Sequence, residues 1–197
     1  MFWSLAPLIL ACVVLAGLAG MCSFQATGPK PGPAPEYDAT AALRADAADL
    51  GIPVRLPQLP PGWHANSGGR DSIGDGRQDP ATGRSERAVI STVGYLAPNG
   101  VYIGLMQSNA DEPKLVAKID STLSSDEPFY PTGAQNIDGR SWVVYKHAGD
   151  DKKLWTTRLD GPTGPAQIAL YGSASDDEFR TLATATQSQA PLPATRR

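Results

Sequence analysis

Residues 88–108 read AVISTVGYLAPNGVYIGLMQS. Ala88–Leu96 and Val101–Ser108 are rich in β-branched and aromatic residues, which suit a pleated, half-buried surface. Between them Ala97-Pro98-Asn99-Gly100 fits a type I turn with its glycine in the left-handed position. An antiparallel hairpin at this point sets the fold, because the flanking segments then have to supply strands that pair with it and helices that cover it.

Downstream, Asp111 predicts an N-cap for a helix that buries Leu115, Val116 and Ile119. Asn136-Ile137-Asp138-Gly139-Arg140 holds the Asp-Gly pair of a tight hairpin and leads into Ser141-Trp142-Val143-Val144-Tyr145. Leu154–Leu159 and Gln167–Tyr171 make a further strand pair around Asp160-Gly161-Pro162-Thr163-Gly164. Ser175 followed by Glu178 is a capping box, and the helix it opens buries Phe179, Leu182 and Ala183.

Upstream, Asp38 caps a helix with Leu43, Ala47 and Leu50 on one face, closed by Gly51. Pro53-Val54-Arg55-Leu56-Pro57 reads as a short edge strand, since its prolines have no N–H to give a ladder. Leu59-Pro60-Pro61-Gly62-Trp63 is a rigid turn. The polar run Asn66–Ser85 reads as a long loop. The alternation of helices and strands predicts an α+β domain over residues 37–188, with a single twisted antiparallel sheet and flanking helices. Residues 189–197 are expected to form a disordered tail.

Phe2–Phe24 is an uncharged apolar run, FWSLAPLILACVVLAGLAGMCSF. As a helix it would extend about 35 Å, enough to cross a ~30 Å hydrocarbon core, so residues 2–24 are expected to form an N-terminal transmembrane signal anchor. The competing readings fit less well. A signal-peptide cut after Ala26 has Phe24 three positions back, and a lipoprotein site at Cys22 has Met21 where a small residue belongs. The first charged side chain is Lys30, so charge bias does not orient the anchor. Residues 25–36 carry four prolines in QATGPKPGPAPE and are expected to be an extended spacer of about 35 Å.

Composition bounds the chemistry. The 197 residues include 20 glycines and 18 prolines, about a fifth of the chain against a usual ~12%, which disfavours an all-helical protein. A net charge of −3 leaves no footprint for nucleic acid. Cys12 and Cys22 both lie in the apolar run, so the remainder has no disulfide, thiol nucleophile or thiolate metal site. No cofactor motif is present. His64 and His147 have no neighbouring ligands at zinc spacing and read as surface histidines. Asp71, Asp75 and Asp79 lack the alternation and terminal Glu of a calcium loop. Trp63, Trp142 and Trp155 are expected in the core rather than on a carbohydrate platform. Gln107, Ser108 and Asn109 end the best-defined strand and form a candidate contact surface, although such residues commonly satisfy local backbone groups.

Several pieces together resemble an actinobacterial family of membrane-anchored proteins known only as domain of unknown function 4245. They are Val54-Arg55-Leu56-Pro57, Leu59–Ser67, Val93-Gly94-Tyr95-Leu96, Tyr102, Gln107-Ser108-Asn109-Ala110, Trp142-Val143-Val144-Tyr145 and Ser173–Phe179. The resemblance covers about residues 37–188 and implies a transmembrane helix with a domain outside the cytoplasm. It implies no activity. This chain departs from that pattern in having no basic residue ahead of the apolar run. The expected function is that of an envelope module in the cytoplasmic membrane, binding a protein partner or an apolar ligand without catalysis. The alternative is an extracytoplasmic enzyme with a site built from scattered Asp, Tyr and His, which requires titratable groups converging in a cleft.

Overall fold

The computed structural model describes residues 36–78, 85–123 and 127–194. The expected anchor at 2–24 and the spacer, apart from Glu36, lie outside the described residues. Among the described residues no helix is long and apolar enough to cross a membrane.

Among the described residues three helices and seven strands follow in the order α1 (Ala39–Asp49), β1 (His64–Gln78), β2 (Ser85–Leu96), β3 (Tyr102–Ser108), α2 (Glu112–Leu123), β4 (Phe129–Ile137), β5 (Arg140–His147), β6 (Lys153–Leu159), β7 (Ala166–Gly172) and α3 (Asp176–Gln187). The strands form one open antiparallel sheet in the order β1-β2-β3-β7-β6-β5-β4. It is two meanders, β1-β2-β3 and β4-β5-β6-β7, joined where β3 pairs with β7. The α+β class and the single antiparallel sheet are as the sequence predicts.

Local signals formed as expected at most turns and caps. Gly100 closes the β2–β3 turn at φ 82°, its N–H donating to Ala97 O at 2.8 Å. Asp138 and Gly139 both have positive φ at the β4–β5 turn, as a twisted two-residue hairpin requires. Asp38 accepts from Ala41 N–H at 2.9 Å, and Ser175 and Glu178 satisfy each other's backbone N–H groups.

Successive residues of the central strands face opposite clusters. Leu105, Trp155 and Leu170 pack with α1 and α3, whereas their neighbours Met106, Leu154 and Ala169 pack beneath α2. Trp142 and Trp155 are fully buried and Trp63 packs against the same cluster, as core tryptophans do. Close approach also needs glycine: a Cβ on Gly94 would overlap the Tyr102 ring, and one on Gly104, its cross-strand partner, would overlap Tyr171.

Three expectations are corrected. The stretch 66–85 is not a loop over its described part, because Ser67–Gly74 pair with Arg87–Gly94 and make β1 the sheet's edge. Its composition of Gly, Ser and charge hides a strand specified by the partner strand and by ion pairs on both faces. Residues 53–57 are not a strand at all. They cross the core without a ladder, Val54 fully buried, and the backbone of Arg55 is satisfied by the Gln107 side chain. At the other end, Leu192 donates its N–H to Val54 O at 2.8 Å and packs on the core, so the chain beyond Gln187 is attached to the domain at least to that residue, where a tail was expected.

Candidate functional site

The three residues at the end of β3 separate by burial. Gln107 is fully buried; its Oε1 accepts from Arg55 N–H and its Nε2 donates to Arg55 O, both at 2.8 Å. One amide thus replaces a strand neighbour for a proline-flanked segment. Ser108, also fully buried, donates to Val89 O at 2.7 Å and accepts from Ala110 N–H at 3.0 Å. These two cannot touch a partner in the folded state. Asn109 is exposed, and its Oδ1 accepts from Val89 N–H at 2.8 Å, which leaves the amide NH₂ facing outward.

Asn109 lines a cleft of about 420 Å³ at the corner where the β1–β2 pair, the β3–α2 junction and β6 meet. Arg87 enters from β2, Lys114 from the first turn of α2 and Arg158 from β6, and among the described residues the lining carboxylate is Asp111, 4.0 Å from Lys114 Nζ. Arg87 and Arg158 are both exposed, and among the described residues neither guanidinium has a hydrogen bond or ion pair. Asp111 is engaged as the helix cap, accepting from Lys114 N–H at 3.1 Å. Ile73 and Ala88, both partly buried, form the apolar wall. Sequence reasoning singled out only Asn109 and Asp111 here. The three cations lie 27 and 44 residues apart along the chain, so no spacing announces them.

Elsewhere two clusters of titratable groups are engaged internally. Asp46, buried on α1, accepts from Arg70 Nε and from the Ser91 hydroxyl, and Arg70 Nη2 lies 2.9 Å from Asp49. Those carboxylates raise the Arg70 pKa, the Asp46 hydrogen bond contributing most. Glu112 accepts from Tyr145 Oη at 3.0 Å and from Thr156 Oγ1. Burial, reinforced by Glu112, pushes the Tyr145 phenol up to about 12. Burial likewise raises Tyr95 and Tyr171 and lowers Arg55, whose guanidinium donates only to backbone carbonyls, those of Gln189, Pro53 and Asp160. None of the Asp46 or Glu112 groups lines the corner cleft or the one beside His147.

His147 corrects the reading of both histidines as surface residues. His64 is exposed, but His147 is 6% exposed, edge-on to Phe129 with ring centroids 5.2 Å apart. Its Nδ1 accepts from Gly149 N–H at 3.2 Å and lies 2.9 Å from Asp150 Oδ1, while Nε2 has no partner among the described residues. The apolar periodicity of Trp142–Tyr145 ends before His147, so only its ring packing reveals the burial. It lines a second cleft, of about 470 Å³, with Ser173 and Ser175. The Asp150 side chain is 38% exposed and its carboxylate is drawn below the usual range chiefly by Lys152. Ser175 Oγ is taken up by Glu178. Among the described residues no group of three or more His, Cys, Asp or Glu is placed to hold a metal ion.

No curated protein and no solved structure matches this chain. A family described as "Protein of unknown function (DUF4245)" matches residues 1–186. That match takes in the apolar N-terminal run as well as almost all of the sheet and α3, and the chain belongs to this family of unknown function.

Proposed function

We propose that the chain is a membrane-tethered binding module of the cell envelope, without catalysis, which engages its partner outside the cytoplasm through the corner cleft beside Asn109. One observation carries the reading. Buried Asp46, half-buried Glu112 and Tyr145 are spent on internal pairs, whereas the exposed Asn109 amide and the Arg87 and Arg158 guanidinia face a cleft with no partner among the described residues. Tyr130 is the single large hydrophobic side chain exposed among the described residues, which favours a polar contact over an apolar one. The tether rests on the uncharged run 2–24 and the proline-rich spacer after it.

A photo-crosslinking side chain at position 109 of the full chain, activated in the native membrane, tests it. The expected result is a discrete adduct, small or macromolecular, with none when the same group replaces Tyr130 on edge strand β4. Adducts at neither position, or equally at both, would overturn the choice of surface. A reporter fused to the C-terminus and active only outside the cytoplasm is expected to work; a silent reporter on accumulated protein reverses the topology. The enzyme alternative has the His147–Asp150 pair as its supporting observation, but the exposed Asp150 and the committed Ser175 hydroxyl weigh against a relay there.

A further inference from the structure

Independently of the binding reading, we infer that His147 makes the β5–β6 turn an acid-responsive wall of the second cleft: a proton arriving at Nδ1 moves that nitrogen from Gly149 N–H to the Asp150 carboxylate. Valence at Nδ1 requires a choice between the two. In the ring plane this nitrogen carries either a lone pair, which accepts, or a hydrogen, which donates. Gly149 N–H lies 3.2 Å from it and Asp150 Oδ1 lies 2.9 Å from it, one a donor and the other an acceptor. With the ring neutral and its hydrogen on Nε2, Nδ1 holds Gly149 N–H while its lone pair faces a carboxylate oxygen. With a solvent proton on Nδ1, the carboxylate contact becomes a charge-assisted hydrogen bond and Gly149 N–H loses its acceptor. No other bond changes.

Packing determines which part gives way. The His147 side chain is 3% exposed and edge-on to Phe129, so the ring is held. The ends of the turn are held as well, His147 N–H donating to Lys152 O at 3.0 Å and Ala148 N–H to Pro128 O at 3.3 Å. Adjustment therefore falls on Gly149–Asp151. Asp150 is a prepared acceptor: Lys152 N–H donates to its Oδ1 at 2.9 Å and Lys152 Nζ pairs with its Oδ2, which leaves Oδ1 a second lone pair for the imidazole. Of the other charged groups around the ring, Lys146 and Asp151 are exposed, and Lys153 of β6 is paired with Asp176 of α3. Asp120 of α2 accepts from Phe129 N–H at 3.1 Å. Glu127 packs beside the turn, since a Cβ on Gly149 would lie 3.2 Å from its Cγ, and Asp126 before it lies outside the described residues. Those last two carboxylates are the rivals of Asp150 for the proton on Nδ1.

The full chain in mild detergent, labelled with ¹⁵N in its histidines and glycines, is followed by NMR from about pH 8 to about pH 5, the span in which imidazole ordinarily changes charge. Lys152 draws the Asp150 carboxylate below the usual range, so it stays ionised throughout. At the alkaline end His147 Nδ1 is expected to carry no hydrogen. On acidification it gains one, and the Gly149 amide resonance moves upfield with the same midpoint; exposed His64 serves as the reference imidazole. His147→Asn, whose Oδ1 still accepts from Gly149 N–H but does not titrate, is expected to abolish the Gly149 shift. Asp150→Ala is expected to remove the low-field signal of the hydrogen-bonded Nδ1–H seen in acid, whereas Glu127→Gln and Asp126→Asn leave it. If His147→Asn does not fold, the shared midpoint in the unaltered chain and the loss in Asp150→Ala carry the test. A hydrogen already on Nδ1 at the alkaline end, a ring that stays neutral to pH 5, or a Gly149 amide indifferent to the ring overturns the inference. So does an Nδ1–H signal that survives Asp150→Ala.

Discussion

Strands β1 and β7 belong to one sheet but owe their places to different forces. Every residue of β7 is buried, and the sequence AQIALYG supplies apolar groups to both faces, so hydrophobic burial favours its central place between β3 and β6. Over residues 64–74 β1 reads HANSGGRDSIG, and none of these residues is buried. It is held by its pairing with β2 and by charge on alternate sides. Arg70 and its cross-strand partner Ser91 converge on Asp46 of α1. Asp71, on the opposite face, lies 2.7 Å from Lys118 of α2. A strand can therefore be specified by its neighbours when its own side chains carry no apolar alternation. The same charges keep an exposed sheet edge from pairing with other chains.

Removing apolar mass from the centre should produce the largest effect. Leu170→Ala is expected to cost about 4 kcal/mol in denaturant unfolding, against about 1 kcal/mol for Ile73→Ala in β1. Equal losses would erase the distinction between the two strands. Gln107→Ala comes next, at about 3 kcal/mol, since it strands the buried N–H and C=O of Arg55. Adduct formation from position 109, normalised to folded protein, should be unchanged in that variant.

Asp46→Ala should cost about 2 kcal/mol and is the measure of how far charge anchors β1. In a double-mutant cycle with Arg70→Ala a coupling of at least about 0.5 kcal/mol is expected; strict additivity would mean that the edge is held by backbone pairing alone. A smaller effect is read from pH. Tyr145 is pushed up to about 12, so between its unfolded value near ~10 and that point the native state binds more protons than the unfolded one. Stability is then fully present below ~10 and declines as pH rises toward the folded value. Tyr145→Phe should flatten part of that decline, leaving the share due to Tyr95 and Tyr171.

The smallest effect is expected at the surface pair. Lys118→Ala should change stability by less than about 1 kcal/mol, and less again in high salt. Lys118 holds the Asp71 carboxyl below its ordinary range, so its contribution is present above ~3.9 and lost as pH falls from there through the depressed native value. A salt-insensitive loss would show that packing of the Lys118 stem, not charge, secures this side of β1.

Gly100, Asp138-Gly139 and the Ser175 box were legible because each acts within four residues, where chemistry and spacing coincide. The strand at 66–74 was not, since its register with β2 is a long-range fact that polar side chains do not advertise. Val54–Leu56 misled for the opposite reason: a strand-like sequence lies where no strand can reach its proline-flanked backbone, and a glutamine 52 residues away takes the strand's part. At the candidate site, Asn109 was readable as a strand-end residue. Arg87, Lys114 and Arg158 were not, because each sits alone on its own element.

Local codes and apolar periodicity were thus sufficient for the α+β class, most hairpins and the helix caps, because those depend on neighbours in the chain. Tertiary structure decided which polar residues at the end of β3 are buried, which strand forms the edge and which cations share a cleft. Those outcomes depend on elements brought together across the sheet, where a hydrogen bond or an uncompensated charge exists only once both partners are in place.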